Sequence, residues 1–225
     1  MKHILLLTIV LFAAACTSST EADKPEIILG PEEGTYDYYV GLSYTGEQPM
    51  GTNHLYVIIA SENDYELNGV ALEIDDETVN LDYANYDGRV FYISEFYHAI
   101  EDSTKFTLTV NGEQTELTLP AVPQLELDLP QYLVEDEDVP LVWETAVDPQ
   151  VIYIEGFQYN SDDEEIGIGA TNLSSADRNF TIPASWLWSK SSAASRSIQV
   201  GIVNYTVQNR IAIAFSDGAY KKYNN

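Results

Sequence analysis

The chain has 225 residues, of which 36 are acidic, 10 are basic and one is a cysteine, and its formal net charge is −26. A single cysteine excludes a fold held together by disulfides within the chain. Nucleic acid is excluded as a partner, because phosphate binding depends on clustered lysine and arginine side chains. We interpret the acidity as a solvated, self-repelling surface combined with adaptation to a salty habitat, in which ions screen such a charge density.

The first sixteen residues have the pattern of an export signal. Lys2 supplies the positive charge that is typical of the first residues of a signal peptide, and the run from Ile4 to Ala15 is apolar except for Thr8. This run is too short to cross a bilayer as a helix, but it has the length of the hydrophobic region of a signal peptide. It ends in three alanines directly before Cys16. We therefore predict a signal peptide over residues 1–15.

The junction at Cys16 resembles the lipobox of bacterial lipoproteins, in which small residues precede a cysteine whose sulfur is lipidated. One departure is Ala13, since leucine is usual three residues before the cysteine. The alternative is an ordinary cleaved signal peptide with a chance cysteine, but a lone thiol is a liability in an oxidising compartment. The resemblance implies lipid on Cys16, a membrane reached through that lipid, and a location in the bacterial cell envelope, at the outer membrane or cell surface.

The residues after Cys16 are small and polar, so residues 16–24 are predicted to be the lipidated cysteine and a flexible tether. Removal of the leader leaves 9 basic and 36 acidic residues, a net charge of −27. An anionic membrane surface would repel a body of that charge. The lipid must therefore do the anchoring.

Apolar residues alternate with polar ones along most of the remaining chain, which is typical of half-buried strands. In the first half these runs are Tyr36 to Tyr44, Val70 to Ile74, Val79 to Tyr83, Val90 to Ile93 and Phe106 to Leu119. Asn111-Gly112 interrupts the last run and predicts a two-residue type I′ hairpin turn, in which both central residues need positive φ. In the second half the runs are Leu125 to Leu129, Val139 to Trp143, Val151 to Tyr159, Phe180 to Ile182, Ile198 to Ile202 and Ile211 to Phe215.

The alternation breaks between Pro120 and Pro123, and such a proline pair predicts a domain boundary. We therefore predict an all-β chain with two β-sandwich domains, over residues 25–122 and 123–225, of about seven strands each. Helix signals are confined to Ser94 to Asp102 and to a proline-led turn from Pro183 to Leu187. The strand rhythm resembles the tandem immunoglobulin-like domains of bacterial surface lipoproteins. The resemblance implies the architecture alone, because the Cys–Trp–Cys pattern of antibody domains is missing.

No catalytic motif stands out, and we predict that the protein is not an enzyme. Beyond the leader the chain keeps His54 and His98, which lack a paired metal-ligand spacing, and it has no G-x-S-x-G nucleophile elbow. No cofactor is predicted, although three acidic runs raise calcium as a candidate ligand. None of these runs has the spacing of a calcium loop, and solvated turns are the alternative interpretation. The runs are Asp75–Glu77, Glu135–Asp138 and Asp162–Glu165.

The three tryptophans are the remaining candidates for function. Trp143 ends an alternating strand, so we predict that it lies in a core. Trp186 and Trp188 are candidate ligand-binding residues, because on an extended segment their indoles would share a face and stack on sugar rings. On a helical turn they would diverge, and at least one would plug the end of the sandwich. We favour the plug, since large aromatics near strand ends usually cover a core.

These observations together predict a non-enzymatic, envelope-anchored binding or structural module whose partner is a protein of the same envelope. The alternative is a carbohydrate-binding accessory lipoprotein that uses the exposed aromatics of its second domain. Exposure of Trp186 and Trp188 on one flat patch would favour this alternative.

Overall fold

In a computed structural model the chain is described over residues 30–32, 34–44, 54–63, 66–86, 89–97, 100, 104–121 and 124–224. The predicted signal peptide, Cys16 and the tether lie outside the described residues, as do His98 and residues 122–123 at the predicted boundary. Over the described part of the chain there are fifteen strands and one short helix. The prediction of an all-β chain built from sandwiched sheets is therefore confirmed.

The chain divides into two compact units. The N-terminal unit comprises Gly30–Val122 together with Asn204–Ser216, and the C-terminal unit includes Pro123–Val203 together with Asp217–Asn225. This division differs from the predicted one, which placed residues 204–216 in the second domain. Whether the two units are domains that fold separately stays a prediction.

The N-terminal unit contains two sheets. Its strands are β1 (Tyr38–Tyr44), β2 (His54–Ser61), β3 (Ala71–Ile74), β4 (Glu77–Val79), β5 (Asp82–Tyr86), β6 (Arg89–Tyr97), β7 (Phe106–Val110), β8 (Glu113–Leu117) and the first part of β15 (Ile211–Asn224). In one sheet β15 lies parallel to β1, and β2, β6 and β5 follow with antiparallel pairings. The other sheet has the antiparallel order β4-β3-β7-β8.

The core of this unit is formed by apolar side chains from both sheets. Val40 and Ile59 come from one sheet, and Leu72 and Phe106 come from the other. Ile211, Ile213 and Phe215 of β15 are buried in the same core, although sequence analysis placed them in the second half. Period-two alternation identifies a strand but does not tell which sheet the strand joins.

The predicted turn at Asn111-Gly112 is confirmed. Both residues have positive φ, at 55° and 80°, and they connect the paired residues Val110 and Glu113. An equivalent turn at Asn209-Arg210, with φ of 50° and 61°, immediately precedes β15. Sequence analysis missed it, because a positive φ is uncommon for arginine.

Two local predictions are wrong. The run from Val79 to Tyr83 is not one strand, since β4 ends at Val79, β5 begins at Asp82, and the two lie in different sheets. The residues from Ser94 to Tyr97 belong to β6 instead of a helix, because they pair with β2. Tertiary pairing overrides a weak local helix propensity.

The C-terminal unit also contains two sheets. Its elements are β9 (Leu125–Leu127), β10 (Val139–Thr145), β11 (Val151–Tyr159), β12 (Glu165–Leu173), β13 (Asn179–Ile182), α1 (Ala184–Trp188), β14 (Ser195–Gln208) and the end of β15. One sheet has the order β12-β11-β14-β15 and the other has the order β13-β10-β9. Trp143 is 1% exposed in the core of this unit, as predicted. None of the described residues forms a helix long and apolar enough to span a membrane.

Candidate functional site

The helix α1 carries both tryptophans that sequence analysis proposed for ligand binding, and it confirms the predicted proline-led turn. Pro183 precedes the helix in an extended conformation. The Ala184 N–H donates a hydrogen bond of 2.7 Å to the Asp138 carboxylate, and the Trp186 N–H donates one of 2.9 Å to the Pro183 carbonyl. The first N–H groups of a helix have no partner within it. Asp138, from one of the three acidic runs, therefore fixes where α1 begins.

Trp186 packs against the core of the C-terminal unit. Its ring lies over Gly169 on β12, so that a Cβ added at this glycine would overlap the indole. The ring centroid of Phe180 is 5.7 Å away, with the two rings tilted by 37°. The indole of Trp186 is therefore held by packing on the sheet.

Trp188 points away from Trp186, because residues two positions apart on a helix are separated by about 200° around its axis. The guanidinium carbon of Arg196 lies 3.7 Å from the centroid of the Trp188 ring. The Arg196 Nε–H also donates a hydrogen bond of 2.5 Å to the Leu187 carbonyl. Arg196 is 5% exposed. Burial lowers the pKa of its guanidinium, and the negative charge of Glu135 offsets only part of this change. The result is a cation–π pair between a largely buried arginine and an indole.

Trp188 and Arg196 line a pocket of about 810 Å³. The other walls come from residues 131–136 between β9 and β10, from the segment 190–193 after α1, and from residues 221–224 at the end of β15. All of these residues belong to the C-terminal unit. Small-molecule sites enclose roughly 300–1,000 Å³, so the pocket has the size of a ligand site. Trp186 does not line it, and the two tryptophans do not form one platform.

The pocket is where the scarce basic residues of the chain gather. Four of the ten basic residues line it: Lys190, Arg196, Lys221 and Lys222. They face two carboxylates of the lining, those of Glu135 and Asp136. The chain has 36 acidic residues and is strongly negative as a whole, whereas the lining of this pocket is positive.

The two lysines of β15 are held in different ways. The Lys221 Nζ donates a hydrogen bond of 2.8 Å to the Pro130 carbonyl, so its charge rests against a neutral group. The Lys222 Nζ pairs with Asp163 at 2.5 Å and lies 4.9 Å from the centroid of the Tyr159 ring. The charge of Lys222 is therefore largely compensated, whereas that of Lys221 is not compensated by this bond.

Lys190 is positioned by its backbone. The buried Gln158 side chain accepts a hydrogen bond of 2.9 Å from the Lys190 N–H. The same amide donates to the Ser189 hydroxyl at 2.7 Å and to the Trp186 carbonyl at 3.0 Å. Gln158 is 1% exposed, so this buried amide fixes the segment that leaves α1. The Lys190 side chain itself is exposed.

Three aromatic side chains line the same pocket. Trp188 is partly buried, Tyr132 is 74% exposed, and Tyr223 is 8% exposed. Burial raises the pKa of Tyr223 to about 12, so its hydroxyl keeps its proton. The Trp188 Nε1 and the Tyr223 hydroxyl have no hydrogen-bond partner among the described residues. Buried donors are usually satisfied, and both belong to residues that line the pocket.

A buried carboxyl group outside the pocket, that of Asp217, has a structural role. Asp217 is 7% exposed, and burial raises its pKa. Its two oxygens accept hydrogen bonds from the Leu125 N–H at 2.7 Å and from the Gly218 N–H at 2.8 Å. These bonds tie β15 to the start of β9. A perturbed pKa often marks a functional site, but here burial is the cause of the raised pKa, and the bonds to the backbone give the carboxyl group a structural role.

The three acidic runs form turns. Asp75 and Asp76 have φ of 49° and 67° and connect β3 to β4. The Asn160 Oδ1 accepts hydrogen bonds of 2.9 Å from the N–H groups of Asp162 and Glu164. Within the described ranges, no group of three or more His, Cys, Asp or Glu side chains is arranged to hold a metal ion.

Most residues of the pocket were not predicted from the sequence. Five of the ten basic residues lie between positions 190 and 222, and four of these five line the pocket. In so acidic a chain, that concentration was the available signal. Of the histidines, His54 begins β2, and His98 lies outside the described residues.

No protein-family model matches this chain, and no curated protein is significantly similar to it in sequence.

Proposed function

We propose that this protein is a non-enzymatic binding module of a bacterial cell envelope, anchored by lipid on Cys16, and that it binds a glycan in the pocket of its C-terminal unit. The observation that carries the proposal is the pocket of about 810 Å³ lined by Trp188, Tyr132 and Tyr223. The absence of a nucleophile elbow and of a metal-ligand spacing from the sequence supports a binding role over a catalytic one.

A sugar ring presents apolar C–H groups on its faces and hydroxyl groups around its edge. Aromatic side chains offer a large apolar surface to such a face. Gln131, Ser191 and Asn224 supply polar side chains in the same lining, and these can donate to hydroxyl oxygens and accept from hydroxyl hydrogens. The combination of aromatic surface with polar groups is what a small polar ligand requires of its site.

A protein of the same envelope is the partner that sequence analysis favoured. A stable protein–protein interface buries roughly 800 Å² on each partner over about 20–30 residues. The feature described here is instead a concave pocket, lined by three short segments of one unit. Trp186 and Trp188 do not form the flat patch that the carbohydrate hypothesis expected, so it is the concave pocket alone that leads us to favour the glycan.

Tyr132→Ala tests the site. Because Tyr132 is 74% exposed, its removal spares the core, and the loss of one stacking aromatic should weaken glycan binding about three- to tenfold. The matched control is Tyr83→Ala, since Tyr83 is 54% exposed and lies in the N-terminal unit. A glycan array with the full chain would identify a ligand, and calorimetry would compare the variants. If no glycan binds, or if Tyr132→Ala binds as well as the control, the proposal fails.

Cys16→Ser tests the anchor. The variant should lack acylation and leave the membrane fraction, because the sulfur that carries the lipid is gone. Mass spectrometry of the N-terminal peptide provides the measurement, and Ser18→Ala serves as the control. A free thiol on Cys16 in the mature wild-type protein would refute the lipid anchor.

A further inference from the structure

The charge of the pocket is opposite to that of the molecule. With a net charge of −26, the chain as a whole repels anions. Among the described residues, Arg178 pairs with Asp148 and Arg210 pairs with Asp37, both outside the pocket, so these cations lie against carboxylates. The pocket lining instead has four cations and two carboxylates. A ligand that needs positive charge therefore finds it here.

Two of these cations are available to a ligand. Among the described residues, the Lys221 ammonium contacts the Pro130 carbonyl and the Tyr223 ring, whose centroid is 5.4 Å away, but no carboxylate. Lys190 has an exposed side chain, and its ammonium has no ion-pair partner within the described part of the chain. Lys222 is paired with Asp163. Arg196 is held against Trp188 and the Leu187 carbonyl, so it forms a wall of the pocket.

We infer that the pocket selects an acidic glycan, in which a sugar ring stacks on the exposed Tyr132 and a carboxylate of that ring meets Lys190 and Lys221. The inference rests on the proposed function and names its ligand class, the uronic-acid saccharides. The lining has an excess of two positive charges, and one of these, on Lys222, is already compensated by Asp163. The single negative charge of a carboxylate matches the one that remains. A phosphate carries up to two charges, and proteins often bind it with backbone N–H groups at the N-terminus of a helix. The part of α1 that lines this pocket is Trp188, at the C-terminal end of the helix.

The first two arms of the experiment compare the same oligosaccharide with and without its negative charges, and the third arm offers a phosphate instead of a carboxylate. Oligogalacturonate is titrated into the full chain by calorimetry at about 0.15 M sodium chloride, where the Debye length of about 8 Å limits repulsion by the distant carboxylates. The second arm is the same oligosaccharide after chemical reduction of its carboxyl groups, which leaves neutral galactose units. The third arm is glucose 6-phosphate. We expect the acidic oligosaccharide to bind at least about tenfold more tightly than the reduced one, as a charge-assisted hydrogen bond would give.

The variants are Lys190→Gln and Lys221→Gln, with Lys105→Gln as the control that removes the same charge from the N-terminal unit. Each pocket variant should weaken oligogalacturonate binding about three- to tenfold, and should weaken binding of the reduced oligosaccharide by less. The control should bind as the wild type does. Because the Lys190 side chain is exposed, Lys190→Gln remains informative even if Lys221→Gln, which loses the bond to Pro130, unfolds at a lower temperature.

The outcomes separate the two proposals. If the reduced oligosaccharide binds as tightly as the acidic one, the inference is overturned while the proposed function stands. If glucose 6-phosphate binds more tightly than oligogalacturonate, the pocket is an anion site of another kind and the inference is overturned. If none of the three ligands binds, the inference is overturned, and only the absence of binding to every saccharide of the glycan array would refute the proposed function as well.

Discussion

Residues 204–216 should decide whether the N-terminal unit can fold. This stretch contributes Ile211, Ile213 and Phe215, which are 4%, 0% and 0% exposed in the core of that unit. Burying one such side chain stabilises a protein by about 1.5–3 kcal/mol, so the three together contribute about 5–9 kcal/mol. The total stability of a domain is only about 5–15 kcal/mol. A fragment of residues 24–122 lacks all three side chains and β15, the parallel neighbour of β1, and we expect it to be unfolded.

The structure also suggests how to restore the fold. The Asn204 side-chain amide donates a hydrogen bond of 2.9 Å to the Ala121 carbonyl, so the end of the fragment lies close to the start of the missing stretch. A Gly-Ser linker of about six residues between residues 122 and 204 should therefore let a chain of 24–122 plus 204–216 fold. Urea unfolding followed by circular dichroism would give each stability and its cooperativity.

A substitution in the full chain provides an independent measurement. Phe215→Ala should destabilise the N-terminal unit by about 3–5 kcal/mol, because it leaves a cavity in the core. Val207→Ala is the control, since Val207 is 41% exposed in β14. The reasoning would be refuted if the fragment 24–122 alone unfolded cooperatively and as stably as the joined chain.

Three further predictions concern charge, packing and pH. The melting temperature should rise between 0.1 M and 1 M sodium chloride, because the Debye length falls from about 10 Å to about 3 Å and repulsion among the carboxylates is screened; a flat titration would contradict this. Gly169→Ala should lower the stability of the C-terminal unit by about 1–3 kcal/mol, because the new Cβ overlaps the Trp186 ring. The control Gly30→Ala should leave the stability unchanged, because no atom lies within 4 Å of a Cβ added there. The hydrogen bonds from Arg210 hold the pKa of Asp37 below its ordinary value of 3.8. The pair therefore stabilises the folded state at a pH above 3.8, and this stabilisation is lost as the pH falls through the lowered pKa. The difference in urea midpoint between the wild type and Asp37→Asn should therefore shrink below pH 3.8, and a constant difference would speak against the pair.

The features that sequence analysis predicted correctly are those set by neighbouring residues. The Asn111-Gly112 turn needs only two residues that tolerate positive φ, and the buried position of Trp143 follows from the alternation along its own strand. The helix after Pro183 has a local start signal as well. The lipid on Cys16 also rests on a local pattern, and it stays a prediction.

The features that sequence analysis missed depend on partners far away in the chain. Alternation from Ile211 to Phe215 shows a strand, but nothing nearby indicates that β1 is its neighbour. The pocket was not predicted either, because its lining comes from three segments that are separated in the chain. Trp188 was a candidate from the start, whereas Lys221 and Tyr132 gain a role only once the fold brings them to the same pocket.

The parallel pairing of β1 with β15 sets the order in which this protein can fold during its synthesis. Tyr38 pairs with Ile211, and the Asp37–Arg210 ion pair joins residues 173 positions apart. At a synthesis rate of about 5–20 residues per second, about 9–35 seconds pass between the appearance of these two partners. Contacts so distant in the chain also fold slowly, because the intervening segment must be closed first. The N-terminal unit therefore stays incomplete until residues 211–216 have been made. Such a delay favours an unfolded chain, and export through the predicted signal peptide requires an unfolded chain.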